Sequence, residues 1–250
     1  MTKIEIKSLI EAGVHFGHLT RKWNPNMAPY IFSEKNGIHI INLYKTASKL
    51  VECIEALKKI ASSGRKILFV ATKKQAKEIV SESAKGVKMP YITERWPGGL
   101  LTNFSTIRKS IKKMQSIDKM MEDGTVDTLS KRERLQISRQ RSKLELNFGS
   151  IVKMTRMPEA IFIVDTNKEH IAVAEAKKLG IRSFAMNDTN TNPKLVDFPI
   201  PSNDDAAKSI SCILDVIKSA VQEGLEERAA AQSKKADEKK EKAKKITEEK

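Results

Sequence analysis

The sequence predicts an α/β fold, a parallel sheet flanked by helices, with a helical hairpin inserted between its strands. Three observations carry that prediction. "RKILFVATKKQAKEIVSESA" and "EAIFIVDTNKEHIAVAEAKKLGI" share one order: a continuous apolar run, a polar loop, then an amphipathic stretch. Strands apolar on both faces belong to a parallel sheet covered by helices. Between the two units, Ile107, Ile111, Met114, Ile117 and Met121, and later Ile137, Leu144, Phe148 and Ile151, recur at helical spacing on either side of "EDGTVDTLS". That interrupted pattern is the mark of two helices folded back on each other.

The elements follow in order. "YIFSEKNGIHII" sets two apolar runs around Asn36-Gly37, a pair suited to the positive φ angles of a tight β-hairpin turn. In "TASKLVECIEALKKIASSG", Ala47, Leu50, Val51, Ile54, Leu57 and Ala61 predict an amphipathic helix that Gly64 stops. Ile67 to Ala71 reads as a buried strand leading into a helix from about Lys73, and Ile161 to Val164 as its counterpart. "RSFAMND" predicts a further short strand, "VDFPIPSN" a proline-interrupted connection, and the chain after it a long helix capped near Asn203 or Asp204. Residues 1–225 are therefore expected to form one domain containing the hairpin at 105–155. Residues 226–250 hold almost no large apolar side chain and read as a charged, flexible or helical tail.

The chain has 250 residues and a formal charge of +15. The tail contributes nine cations and seven anions, and the hairpin twelve cations and six anions. Most of the excess is thus built into the domain, which favours a polyanionic partner. No apolar run approaches a membrane span, and "MTKIEIKSLIEAG" has no signal-peptide core. A cytosolic chain without a membrane role is expected. Cys53 and Cys212 fall in helical patterns and read as small buried thiols.

The loops after the two apolar strands, "TKKQA" and "DTNKEH", lack the glycines of a phosphate cradle. Lys73 and Lys74 could meet a phosphate at a helix start, or could simply lie on a solvated face. No serine sits in a nucleophile elbow, and neither cysteine has an activating neighbour. His15 and His18 could join Asp188, Asp204 and Asp205 in a metal site if the fold brings them together. Otherwise His15 packs in the core and His18 bonds locally. "HLTRKWNPNMAPYIF" and "ERWPGGLLTNF" each set a cation beside tryptophan, then proline or glycine, then asparagine. Arg21, Lys22, Trp23, Asn24, Arg95, Trp96 and Asn103 are candidates for docking on RNA or a protein, though both tryptophans also suit core anchoring. The hairpin cations Arg108, Lys109, Lys112, Lys113, Arg132 and Arg134 are candidates for phosphate contacts.

These blocks, with "AIFIVDTNKEHIAVAEAKKLGI" and "DFPIPSNDDAAKSI", resemble in order the signature blocks of ribosomal protein two of the bacterial small subunit, from about Ile10 to Ile217. The resemblance implies a flavodoxin-like, Rossmann-type core with a coiled-coil insertion. It implies a structural role on the small subunit, against rRNA and neighbouring ribosomal proteins, including the large OB-repeat protein that captures messenger RNA. No catalysis, required cofactor or homo-oligomer is implied. It also implies that His18, Asp188, Asp204 and Asp205 match positions holding a divalent metal such as zinc or magnesium. Two departures stand out: Pro97 replaces a leucine, and "AMNDTNTNP" lacks a cysteine found near the acidic positions in relatives. Two other function classes remain: a nucleotide- or metal-dependent Rossmann-like enzyme, and a free RNA-binding regulator.

Overall fold

The computed structural model describes residues 5–248. The chain opens with a short helix, α1 (Ile6–Glu11), and strand β1 (Phe16–Leu19). The hairpin of β2 (Ile31–Lys35) and β3 (Ile38–Ile41) follows, turning on Asn36 and Gly37 at φ 52° and 73°. These three strands form a small antiparallel sheet in the order β1-β3-β2. β1 was not expected: four residues around Gly17 carry no alternating apolar signal, and pairing with β3 creates the strand.

Helix α2 (Leu43–Ser62) is capped by the Asn42 side chain, which accepts from the Tyr44 and Lys45 amides, and it stops at Gly64, φ 77°. Strand β4 (Ile67–Val70) is wholly buried. Helix α3 (Lys77–Gly86) begins four residues later than about Lys73, where a turn intervenes, and a two-residue strand, β5 (Tyr91–Ile92), follows it. After the insertion come β6 (Ala160–Val164), α6 (His170–Leu179), β7 (Arg182–Asn187) and β8 (Phe198–Pro201). The stretch expected as a proline-interrupted connection is therefore a strand. It lies at the sheet edge, where Pro199 and Pro201 need no outer hydrogen bond.

All pairings in the main sheet are parallel, in the order β5-β4-β6-β7-β8. Counting only these strands along the chain, this is 2-1-3-4-5, the flavodoxin-like order, whose direction of winding reverses between β4 and β6. One face packs Phe69, Phe162 and Phe184 against α2, α3 and the terminal helix α7 (Ala207–Glu248). The other packs Leu68, Val70, Ile161 and Ile163 against α6 and the base of the insertion.

The insertion consists of α4 (Phe104–Glu122) and α5 (Lys131–Phe148). Ser130 and Glu133 form a capping box at the start of α5. Ile107, Ile111, Met114 and Ile117 are buried, and Arg141 reaches back from α5 to donate to Asp118 at 2.8 Å. Helix α7 begins after Asn203, whose side chain accepts from the amides of Asp205 and Ala206. It continues unbroken through the stretch read as a tail from Glu226. Of that stretch, residues 249–250 and the side chains beyond 233 lie outside the described residues.

The small sheet is fastened to the large one by its last strands. His18 donates its amide to Thr189 Oγ1 at 2.8 Å, Asn24 donates its amide to the Thr189 carbonyl at 2.8 Å, and Asn203 donates its amide to the Val14 carbonyl at 3.1 Å. A Cβ on Gly17 would lie 2.6 Å from the Thr189 methyl, so only glycine permits that approach.

Candidate metal and docking site

Four parallel strands deliver charged residues to one end of the sheet. Lys73 follows β4, Asp165 follows β6, Asp188 follows β7, and Asp204 and Asp205 follow β8. This is the end at which open α/β sheets take ligands. The small sheet adds His18 from β1. The ligand atoms of His18, Asp188, Asp204 and Asp205 all lie within 4.8 Å of one another. His15 does not join them: it is half-buried and packs on the Phe16 ring at 4.1 Å.

His18 sits between two carboxylates, with Nδ1 2.9 Å from Asp188 Oδ2 and Nε2 3.3 Å from Asp205 Oδ2. The Asp188 carboxylate beside Nδ1 raises its pKa, and burial only partly opposes this. Lys73 lies 2.7 Å from Asp204, 2.6 Å from Asp205 and 3.4 Å from Asp165. Neither earlier reading of Lys73 survives: its side chain is 12% exposed and serves as an internal counter-ion. Although burial disfavours its charge, the three carboxylates raise its pKa on balance. Burial, together with Asp165 and Asp188, pushes Asp204 up to about 7. Burial also works on Asp205, but Lys73 outweighs it and holds that carboxyl below its ordinary value.

The donor set suits a divalent cation. Four carboxylates face two basic groups, so negative charge is in excess when all are ionised. Asp204 Oδ2 is buried without a hydrogen-bond partner, and Asp188 Oδ2 lacks an aligned donor despite its nearness to His18. Buried carboxylate oxygens are expensive to leave unpaired. One imidazole and carboxylate oxygens are ligands that zinc accepts and that harder ions share in part.

Beside the cluster runs the cationic segment. Arg21 and Lys22 are exposed in a 3-10 turn, and Trp23 is 39% exposed with its ring 5.3 Å from that of His39. Asn24 is partly committed, since its side chain accepts from the Asn26 amide and caps the following turn. In the second cationic loop, Arg95 and Asn103 are exposed, but Trp96 is only 6% exposed.

Trp96 is held from within by a residue the sequence did not single out. Glu175, buried on α6, accepts from Trp96 Nε1 at 3.1 Å, from the amides of Gly99, Leu101 and Thr102 at 2.8, 2.9 and 3.0 Å, and from the Thr102 hydroxyl at 3.2 Å. Burial opposes its charge, yet these donors together keep its pKa below the ordinary carboxylate value. The alanines around it in "VAEAK" were the available signal, because such small neighbours suit a tightly packed helix face. On the hairpin, Lys109, Lys112, Lys113 and Arg132 are exposed. Arg108 instead donates to the Met154 carbonyl at 3.2 Å, and Arg134 is half-buried with a partner inside the protein.

The family model described as ribosomal protein S2 matches residues 9–224. The chain belongs to that family. It is 68% identical over 228 residues to the small ribosomal subunit protein uS2 of Flavobacterium johnsoniae, covering 91% of this chain and 90% of that one. It is 66% identical over 226 residues to the uS2 protein of Christiangramia forsetii, covering 90% and 76% of the two chains. To the uS2 protein of Porphyromonas gingivalis it is 62% identical over 230 residues, covering 92% and 82%. The match spans both sheets and the hairpin inserted between β5 and β6. No helix of the described residues is long and apolar enough to cross a membrane.

Proposed function

We propose that this chain is a structural constituent of the small ribosomal subunit, binding rRNA and neighbouring ribosomal proteins in the cytoplasm. The family match over 9–224 carries the reading. The charge of +15 and the exposed cations on two faces support it. Arg21, Lys22 and Trp23 form one docking face beside the acidic cluster, and Arg95 and Asn103 lie on a second loop. Lys109, Lys112, Lys113 and Arg132 extend the contact to phosphates along the hairpin. The role is structural rather than catalytic, and the surface around Trp23 helps seat the large OB-repeat protein.

His18, Asp188, Asp204 and Asp205 hold a divalent metal in this reading. The metal supplies positive charge to buried carboxylates and stiffens the β1 segment against the large sheet. Asp188→Asn should then reduce zinc binding by calorimetry and loosen the Arg21–Trp23 segment. Unchanged zinc binding by that variant would remove the metal from the proposal.

The central test is fractionation of a lysate on a sucrose gradient at moderate and high salt. Near-stoichiometric recovery with small subunits is the expected result, and recovery mainly as free protein would overturn the reading. Replacing Lys109, Lys112, Lys113 and Arg132 by glutamine should release the protein from subunits at lower salt. The slope of log affinity against log salt should become shallower by roughly 0.7–0.9 for each lost phosphate contact.

A further inference from the structure

At the opposite end of the large sheet lies a groove that the docking and metal readings leave unused. Its volume is about 520 Å³, within the size range of small-ligand sites. Lys66 precedes β4, Lys85 and Lys88 border the end of α3, and Lys153 comes from the chain leaving the hairpin. Among the described residues, no acidic side chain lines it. Its floor is apolar, formed chiefly by Met89, Pro90, Tyr91, Val152 and Met154.

The groove is electropositive, and its floor is anchored to the sheet. The Phe69 amide donates to the Pro90 carbonyl at 3.0 Å, which ties the floor to the central sheet, and the Ser150 hydroxyl donates to the Tyr91 carbonyl. Lys85 Nζ lies 5.7 Å from the Tyr91 ring centroid. Lys66 donates to the Lys88 carbonyl at 3.0 Å. Burial, aided by Arg228, lowers the pKa of Lys66. Lys88 has φ 53°, a conformation that ordinarily calls for glycine or asparagine after a helix, and yet a lysine stands there.

We propose that this groove binds one unstacked nucleotide of single-stranded RNA, with the phosphate among Lys66, Lys85, Lys88 and Lys153 and the base against Tyr91 and Met154. Cations without competing carboxylates select an anion, while the apolar floor with an aromatic ring selects a planar group attached to it. Single-stranded RNA offers both at once, because its bases can be splayed out and stacked on aromatic side chains. A duplex offers only its phosphates. The attraction of helix C-termini for cations accounts for Lys85 and Lys88 alone. It does not account for the apolar floor. The proposal rests on the ribosomal reading and adds an RNA contact at the far end of the sheet from His18.

The test uses the full chain, with fluorescence anisotropy of a short labelled oligouridylate and of a short labelled RNA duplex. The single strand should bind more tightly than the duplex. K85Q/K153Q should weaken single-strand binding about tenfold and flatten its salt dependence. Tyr91→Leu should weaken it about tenfold with the salt dependence unchanged, a result that lysines serving only as helix caps would not produce. Thermal melts establish that each variant is folded. Equal binding of strand and duplex, with folded Tyr91→Leu indistinguishable from wild type, would overturn the proposal. So would displacement of the oligomer by equimolar uridine monophosphate, which would make the groove a free-nucleotide site. The gradient separates the two readings. Wild-type protein that sediments with small subunits but fails the oligouridylate test loses only the groove, whereas protein recovered free from subunits loses the ribosomal reading whatever the oligonucleotide result.

Discussion

At the residue scale, Glu175 shows how a charge can organise a loop without meeting solvent. Its two oxygens accept from five donors, four of them on the segment from Gly99 to Thr102 and one on Trp96. Glu175→Gln places an amide N–H₂ against donors that need an acceptor. The expected cost is about 2–4 kcal/mol, because buried donors lose a charged partner. Chemical denaturation measures it, and Trp96 emission should shift to the red as the indole loses its seat. The acidic cluster makes a second prediction. His18 is raised above its ordinary 6.5, so its contribution to stability is full below that value and is lost as pH rises through its folded pKa. Asp204 keeps its proton in the folded chain up to about 7, whereas the unfolded chain releases it near 3.8, so stability falls with rising pH across that window. Both act in the same direction. In chelator the melting temperature should fall as pH rises from about 4 to about 7, with His18 extending the fall above 6.5, and a divalent cation should flatten the fall by replacing protons. An equal slope with and without metal would count against a metal at these carboxylates. His18, Asp188, Asp204 and Asp205 were legible as a set from the resemblance. Lys73 and Asp165 were not, because each reads locally as a polar loop residue and acquires its partners only when the parallel strands align.

At the scale of elements, α2 and α7 pack most intimately where Gly224 meets Lys58 and Ala61. A Cβ on Gly224 would lie 2.6 Å from the Lys58 carbonyl oxygen and 2.9 Å from Ala61 Cβ. Backbone cannot yield as a long side chain does. Gly224→Ala should therefore cost about 1–3 kcal/mol by forcing the helices apart, despite alanine's better helix propensity, and a lowered melting temperature would register it. The same contrast between local and distant causes separates the elements that were legible from those that were not. β4, β6 and β7 announce themselves through unbroken apolar runs, α2 through its periodicity, and the β2–β3 turn through Asn36-Gly37. β1, β5 and β8 do not. β5 has only two residues, and β1 and β8 are edge strands whose sequences, "FGHL" and "FPIP", owe their conformation to the neighbour they pair with. α4 and α5 were legible as a pair because the buried stripe of α4 is strictly periodic, although α5 exposes Leu135 and Leu146.

At the scale of the whole molecule, the sheet separates two chemistries. Its C-terminal end gathers carboxylates around His18 and Lys73, and its N-terminal end gathers lysines around Tyr91. The chain also closes on itself late. β4 meets β6 in the register Ile67 to Ala160, across the whole hairpin, and the first forty or so residues are fastened through Thr189 and Asn203. A chain ending at Gly180 should leave β1–β3 open to protease while the full chain protects them, and limited proteolysis followed by mass spectrometry would show it. Protection of β1–β3 in the shorter chain would mean that the small sheet folds alone. The fastening at Thr189 and Asn203 has a consequence for synthesis. A polypeptide is made from its N-terminus, so the segment bearing Arg21, Lys22 and Trp23 leaves the tunnel early but finds its anchor at Thr189, 171 positions beyond His18, only near the end of synthesis. If these cations dock as proposed, they are arrayed for it only once translation of the chain is nearly finished, which would keep an unfinished copy from competing for a place in the assembly.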